Sequence, residues 1–121
     1  MSTDQLQQHL EAVVRPTWNF SGKLCSQKDH FLNAVVGLAA EAGELLDIHK
    51  KVWFHTKKDL DNQRQELLSE HGDVIYYWLQ SIDLHGFTVQ EVLDYNRKKL
   101  ASRHPELGQV TERFGPEAIQ G

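Results

Sequence analysis

Apolar residues recur at helical spacing through most of the 121-residue chain, and no segment has the alternating pattern of a convincing strand. Four helices are predicted, over residues 4–14, 30–54, 62–85 and 89–102. Arg15-Pro16 is expected to end the first, because the residue before a proline avoids the α region. Gly86 stands just past the third, and Thr88 with Glu91 has the spacing of a capping box for the fourth. We therefore expect an all-α fold, an antiparallel bundle of four main helices.

The predicted second helix is the centre of the pattern. Asp29 is a suitable N-cap, and an apolar stripe follows it. Glu41 and Glu44 are expected on the shoulder of that stripe. Gly37 and Gly43 in the helix interior would let another helix or a ligand come close, with simple tolerance of either glycine as the alternative. The stripe consists of Phe31, Val35, Leu38, Ala42, Leu45 and Val52.

The predicted third helix contains an unbroken apolar run over residues 74–79, so it needs cover on more than one side. We expect a second subunit to supply the extra cover, in a dimer or tetramer. Residues 17–28 are interpreted as a loop. Residues 1–105 would form one domain, and residues 106–121, with little apolar content, an extended or mobile tail.

Two pairs of acids carry the candidate chemistry: Glu41 with Glu44, and Glu70 with Asp73. Residues three apart on a helix lie roughly 5–6 Å apart at Cβ, so each pair shares a face. No Lys or Arg occurs between residues 29 and 49 or between 65 and 96. Acids without a local counter-charge in apolar surroundings indicate a hard divalent cation, Mg²⁺ or Mn²⁺. The alternative is a structural helical oligomer whose acids are simply exposed.

The cations are collected in blocks outside the acidic segments. Asn96, Lys99 and Arg103 recur on one face of the predicted fourth helix, and Lys51 stands at the end of the second. If these residues flank the acids, a polyphosphate would bridge the metal and the cations. The alternative is a solvated helix end whose charges complement the helix dipole.

Overall composition excludes several classes of function. A net charge of −4 does not favour binding to nucleic-acid polymers or membranes, and no apolar run reaches transmembrane length. The single cysteine, Cys25, cannot form an internal disulfide, so we expect a cytoplasmic protein. Trp18, Phe20 and Trp53 are candidates for stacking on a nucleobase, with packing in the core as the alternative for each.

Three motifs together resemble the MazG-like family of all-α nucleoside triphosphate pyrophosphohydrolases. They are the stretch from Gly37 to Leu45, then Glu70-His71-Gly72-Asp73-Val74, then Asn96-Arg97-Lys98-Lys99-Leu100. The similarity covers roughly residues 30–105. It implies a helical dimer, in some cases paired into a tetramer, with sites near the subunit interface.

The resemblance also implies Mg²⁺-dependent hydrolysis of a (deoxy)nucleoside triphosphate to the monophosphate and pyrophosphate. A metal-activated water would attack the α-phosphate without a covalent intermediate. The acids would serve as catalytic metal ligands (Glu41, Glu44, Glu70, Asp73), and the phosphates would meet Lys51, Asn96, Lys99 and Arg103. The alternative is a catalytically weak module that binds nucleotide and metal as a regulator. The sequence does not indicate which base or sugar is preferred.

Overall fold

The computed structural model describes residues 3–19, 27–55, 59 and 61–107, and within these ranges the chain is helical apart from short turns. The prediction of an all-α fold is confirmed. No helix among the described residues is long and apolar enough to cross a membrane. The α-helices are α1 (Thr3–His9), α2 (Arg15–Asn19), α3 (Gln27–Lys50), α4 (Arg64–Leu84) and α5 (Val89–Arg103). Between and after them lie π-helical turns at Leu10–Val14 and Lys51–His55 and 3₁₀ turns at Asp61–Gln63 and Pro105–Leu107.

The predicted end of the first helix at Arg15-Pro16 is wrong. α1, the π turn and α2 follow one another without a break over residues 3–19, which we call the N-terminal helix. Pro16 has no N–H, and its ring conflicts with a regular turn before it. The π turn relieves this conflict, because the Arg15 N–H bonds the carbonyl of Leu10, five residues back. The predicted loop over 17–28 is helical at both ends, and residues 20–26 lie outside the described ranges.

α3 begins at Gln27, so Asp29 is not its N-cap and lies instead in the first turn, where its charge suits the helix dipole. The predicted apolar stripe is also partly wrong, since Val35 is 46% exposed. The buried face of α3 is rotated toward Ala34, Leu38, Glu41, Leu45 and Ile48. Glu41 therefore lies within the buried face and Glu44 at its exposed shoulder.

The turn between α4 and α5 agrees with the prediction. Gly86 has a φ of 75°, and the Phe87 N–H bonds the Ile82 carbonyl while the Gly86 N–H bonds the Asp83 carbonyl. This is the Schellman arrangement that closes a helix C-terminus. The Thr88 side chain then accepts the N–H of Glu91 at 3.1 Å, and the Glu91 carboxylate accepts the N–H of Thr88. Both halves of the capping box are formed.

The main apolar core lies where α4 meets the N-terminal helix and the start of α5. Its buried members are Leu10, Val14, Leu79, Ile82 and Val89. This part of α4 is thus covered by the chain itself, and the second subunit expected from the sequence stays a prediction. Exposed apolar side chains of α4, such as Leu68 and Ile75, are still without cover in the single chain.

α3 and α4 pack against each other in opposite directions. The ring of Phe31 contacts that of His85 with centroids 4.9 Å apart, and further along α3 Gly37 lies against the ring of Tyr77. As the residue numbers rise along α3, the numbers of the contacting residues on α4 decrease, so the two helices are antiparallel. One more turn of α3 in the same direction brings Glu41 opposite the acids of α4. The candidate site is therefore built on rigid helices.

Candidate metal centre

Three of the four predicted acids meet between α3 and α4. One carboxylate oxygen from each of Glu41, Glu70 and Asp73 can be chosen so that all lie within 4.8 Å of one another. Glu41 and Glu70 are half-buried, and Asp73 is exposed. We call these three residues the acid cluster. It has a half-buried floor and opens to solvent beside Asp73.

Glu44 lies outside this cluster, although it was predicted with the other three. Its side chain is exposed on the shoulder of α3. Its negative charge still reaches the cluster, since it contributes to the raised pKa of Glu70. Its role as a metal ligand stays a prediction.

The acid cluster is electrostatically strained at neutral pH. The pKa of Glu70 is raised to about 7, first by a hydrogen bond with Glu41, then by burial, and then by the charges of Glu41, Asp73 and Glu44. Oε2 of Glu70 is buried and has no hydrogen-bond partner among the residues that the structure describes. A divalent cation would relieve both conditions, because it neutralises the repulsion and gives the buried oxygen a partner. The donor set is all carboxylate oxygen, which suits Mg²⁺ or Mn²⁺ better than a soft metal.

Tyr77 lies one turn after Asp73 and forms the wall next to the acid cluster. Its pKa is raised by burial and then by the negative charge of Glu41. Its ring covers Gly37 so closely that a Cβ there would lie 2.5 Å from Cδ1 and 2.7 Å from Cζ. The expectation that a glycine in this helix admits a close neighbour is thereby met at Gly37. Gly43 has nothing within 4 Å of such a Cβ.

Comparison with protein families supplies the deciding observation. Residues 30–108 match the family model described as the MazG nucleotide pyrophosphohydrolase domain. The chain belongs to the MazG family. The match runs from the first turn of α3 past the end of α5, so it contains both acid pairs and the α4–α5 turn. Searches of curated proteins and of solved structures returned no match.

Membership of the MazG family supports a hydrolase that acts on the phosphorus anhydride bonds of nucleotides. MazG domains are typically metal-dependent, and the acid cluster is a group of carboxylates that could hold a metal ion. The resemblance recognised in the sequence motifs is therefore confirmed. The N-terminal helix lies outside the matched residues, although it packs against α4 of the MazG domain through Leu10 and Val14.

The predicted phosphate-binding residues are distributed over two elements of the MazG domain. Lys51 is exposed and pairs with Asp47 on its own helix at 2.9 Å, which raises the pKa of its amine. Asn96 and Lys99 line a cavity of about 420 Å³ on α5, together with Phe87 and Tyr95 among others.

A second cavity of about 500 Å³ is lined by Lys99 and Arg103. Among the described residues, no acid of the cluster lines either of these two cavities. Asn96, Lys99 and Arg103 thus lie on one face of α5. Contact of this face with phosphate stays a prediction.

The aromatic candidates differ in their surroundings. The indole N–H of Trp18 donates to Oδ2 of Asp83 at 2.9 Å, and its ring meets His30 edge to face with centroids 5.2 Å apart. Trp18 also packs against the main core, which agrees with the packing alternative. Trp53 is 68% exposed in the π turn after α3. Phe20 lies outside the described residues.

Three polar residues on α3 and α4 were not singled out from the sequence: His30, Gln80 and Asp83. Nδ1 of His30 and both amide atoms of Gln80 are buried without a hydrogen-bond partner. Gln80 follows directly on the apolar run at 74–79, and a polar residue at that point is the signal that could have indicated it. Asp83 is fixed by Arg15, which is 68 residues away in sequence, so no local pattern could reveal the pair.

Proposed function

We propose that this MazG domain hydrolyses a nucleoside triphosphate to the monophosphate and pyrophosphate, with Mg²⁺ held by Glu41, Glu70 and Asp73. The observation that supports this most directly is the acid cluster, in which three carboxylate oxygens from facing helices lie within 4.8 Å of one another. A buried Glu70 oxygen without a partner is consistent with a missing cation. Family membership supplies the class of reaction.

Each part of the chain has a role in this proposal. Bound there, a divalent cation supplies positive charge for phosphate oxygens and lowers the pKa of a coordinated water. Glu41 and Glu70 form the half-buried floor that fixes its position, and Asp73 lies on the open side from which a triphosphate enters. Glu44, exposed one turn after Glu41, is proposed to join when the cation binds. The cationic face of α5 and Lys51 are proposed to contact the leaving phosphates.

We also propose that the protein acts as a homodimer or homotetramer. Several apolar side chains on α3 and α4 are strongly exposed in the single chain: Leu32 at 49%, Val36 at 61%, Leu46 at 70% and Leu68 at 60%. Apolar surface of this kind is commonly covered by another protein surface. Light scattering coupled to size exclusion tests it, and a monomer at micromolar concentration would contradict it.

The decisive test is an assay of pyrophosphate release from a panel of ribo- and deoxyribonucleoside triphosphates, with and without Mg²⁺. We expect Mg²⁺-dependent release from at least one of them. Glu70→Gln keeps the shape of the side chain but removes its charge, and should lower kcat by at least about 10²-fold. Glu106→Gln is the matched control, since this acid is exposed in the turn after α5. Wild-type protein that releases no pyrophosphate from any triphosphate refutes the proposal.

A second candidate function is supported by the position of Glu44, because only three of the four acids converge. In that case the domain binds nucleotide and metal as a regulatory module with little turnover. Calorimetric titration distinguishes the two functions: a regulator binds triphosphate with Mg²⁺ and leaves it intact, whereas the enzyme releases monophosphate.

A further inference from the structure

A buried polar position lies on α4 two turns beyond the acid cluster and is not explained by metal binding. Gln80 on α4 is fully buried, yet within the described part of the chain neither its amide nitrogen nor its amide oxygen has a hydrogen-bond partner. Nδ1 of His30 on α3 is likewise buried and unpartnered. An amide buried without hydrogen bonds destabilises a fold, whereas an apolar side chain of similar size does not. The pattern therefore indicates a hydrogen-bonding group that is absent from the isolated chain.

Helix geometry places Gln80 in line with the acid cluster. Asp73 and Gln80 are seven residues apart on α4, which brings them back to nearly the same side of the helix, about 10.5 Å apart along its axis. His30 is likewise seven residues from Gly37 on α3, on the face that contacts α4. Because α3 and α4 are antiparallel, both residues lie toward the same end of the helix pair. A ligand anchored by its phosphates at the acid cluster would have its far end there.

Trp18 contacts His30 and is held in place through Asp83, which forms an ion pair with Arg15. Asp83, whose side chain is 8% exposed, accepts hydrogen bonds from Nε and Nη2 of Arg15 and from the indole of Trp18. The indole orientation is thereby fixed, with its ring in contact with His30. Trp18 and His30 are both half-buried, so they form the side of the position that faces solvent.

We propose that Gln80 hydrogen-bonds the base of the nucleotide and determines which base is accepted, with His30 and Trp18 beside it. This inference rests on the proposed function, because the phosphates are placed at the acid cluster. A carboxamide offers one donor and one acceptor side by side, which matches the donor–acceptor edge of a nucleobase. The separation from the acid cluster is of the order of the length of a nucleoside. The planar ring of Trp18 suits contact with a planar heterocycle.

The test uses Gln80→Met, which nearly preserves the volume of the side chain and removes both hydrogen-bonding atoms. Gln65→Met, at an exposed position on the same helix, is the matched control. The four 2′-deoxynucleoside triphosphates in their non-hydrolysable α,β-imido form are titrated calorimetrically with Mg²⁺. We expect the wild type to prefer one base and Gln80→Met to lose at least about tenfold in affinity for it, so that the preference flattens. Gln65→Met should bind as the wild type does.

Several outcomes overturn the inference. They are a wild type that binds no nucleotide or shows no base preference, and a Gln80→Met variant that keeps the preference. In the last case a lower melting temperature of the nucleotide-free variant would assign Gln80 to a buried water instead. If Gln80→Met does not fold by circular dichroism, His30→Phe provides a second comparison, because it keeps an aromatic ring and removes both ring nitrogens. Selective binding without hydrolysis refutes only the proposed function, and hydrolysis with an unchanged preference in Gln80→Met refutes only this inference.

Discussion

Replacing Gly37 by alanine isolates the contact between α3 and Tyr77. A Cβ at this position would lie 2.5 Å from Cδ1 and 2.7 Å from Cζ of the Tyr77 ring, so the ring has to move. Overpacking of this kind costs about 1–3 kcal/mol. Alanine in a helix interior gains about 0.5–1 kcal/mol over glycine. The net expectation for Gly37→Ala is a loss of about 1 kcal/mol.

Gly43→Ala is the matched control on the same helix. Nothing lies within 4 Å of a Cβ at Gly43, so only the gain in helix propensity applies and the variant should be stabilised by about 0.5–1 kcal/mol. The difference between the two variants cancels propensity and leaves the Tyr77 contact, about 1–3 kcal/mol. At about 4 °C per kcal/mol for a chain of this size, their melting temperatures should differ by about 4–12 °C.

The assay is thermal and urea unfolding followed by helical circular dichroism, repeated at several protein concentrations. The concentration series is needed because association with a second copy also raises apparent stability. A Gly37→Ala variant as stable as Gly43→Ala would refute the reasoning, since it would mean that Tyr77 does not rest on Gly37. We also expect Gly37→Ala to weaken Mg²⁺ binding, because Tyr77 lies one turn from Asp73 of the acid cluster.

Three further predictions concern charge and capping. The pKa of Glu70 is raised to about 7, so protonation of Glu70 stabilises the folded metal-free protein at low pH. This stabilisation is lost as the pH rises from about 4.5 through about 7. Metal-free protein should therefore melt at a lower temperature at pH 8 than at pH 6, and Mg²⁺ should remove this difference. The affinity for Mg²⁺, measured by calorimetry, should fall by up to about tenfold for each unit of pH below 7. Arg15→Met leaves the carboxylate of Asp83 buried without its charged partner and should cost about 1.5–3 kcal/mol in urea unfolding; a loss under 0.5 kcal/mol would contradict that. Thr88→Ala removes the acceptor for the Glu91 N–H and should cost about 1 kcal/mol, whereas Thr88→Ser should cost little.

The parts of the fold that local chemistry determines were predictable from the sequence. The end of α4 at Gly86 and the capping box at Thr88 depend on residues a few positions apart, and both are confirmed. The grouping of Glu41 with Glu70 and Asp73 was predictable for a related reason, since acids three apart on adjacent antiparallel helices meet when the helices pack.

Features that depend on tertiary packing were not predictable. The phase of the buried face of α3 was wrong because apolar residues occur nearly all round this helix, and only contact with α4 selects Ala34 over Val35. The Arg15–Asp83 pair joins residues 68 positions apart, so no spacing rule could find it. The N-terminal helix continued through Pro16 because of a π turn, for which the sequence offers no simple rule.

The π turn at Leu10–Val14 also changes how the N-terminal helix tolerates insertions and deletions. One extra residue per turn shifts the angular phase of everything before it by about 100° relative to a regular α-helix. With that offset, Gln7 reaches the N–H of Val89 at 2.9 Å while Arg15 on the other side of the turn reaches Asp83. Deleting a single residue within the π turn would restore regular α-helical winding and break one of these two hydrogen-bonded contacts. The π turn therefore sets the rotation of this helix that allows it to contact both α5 and α4.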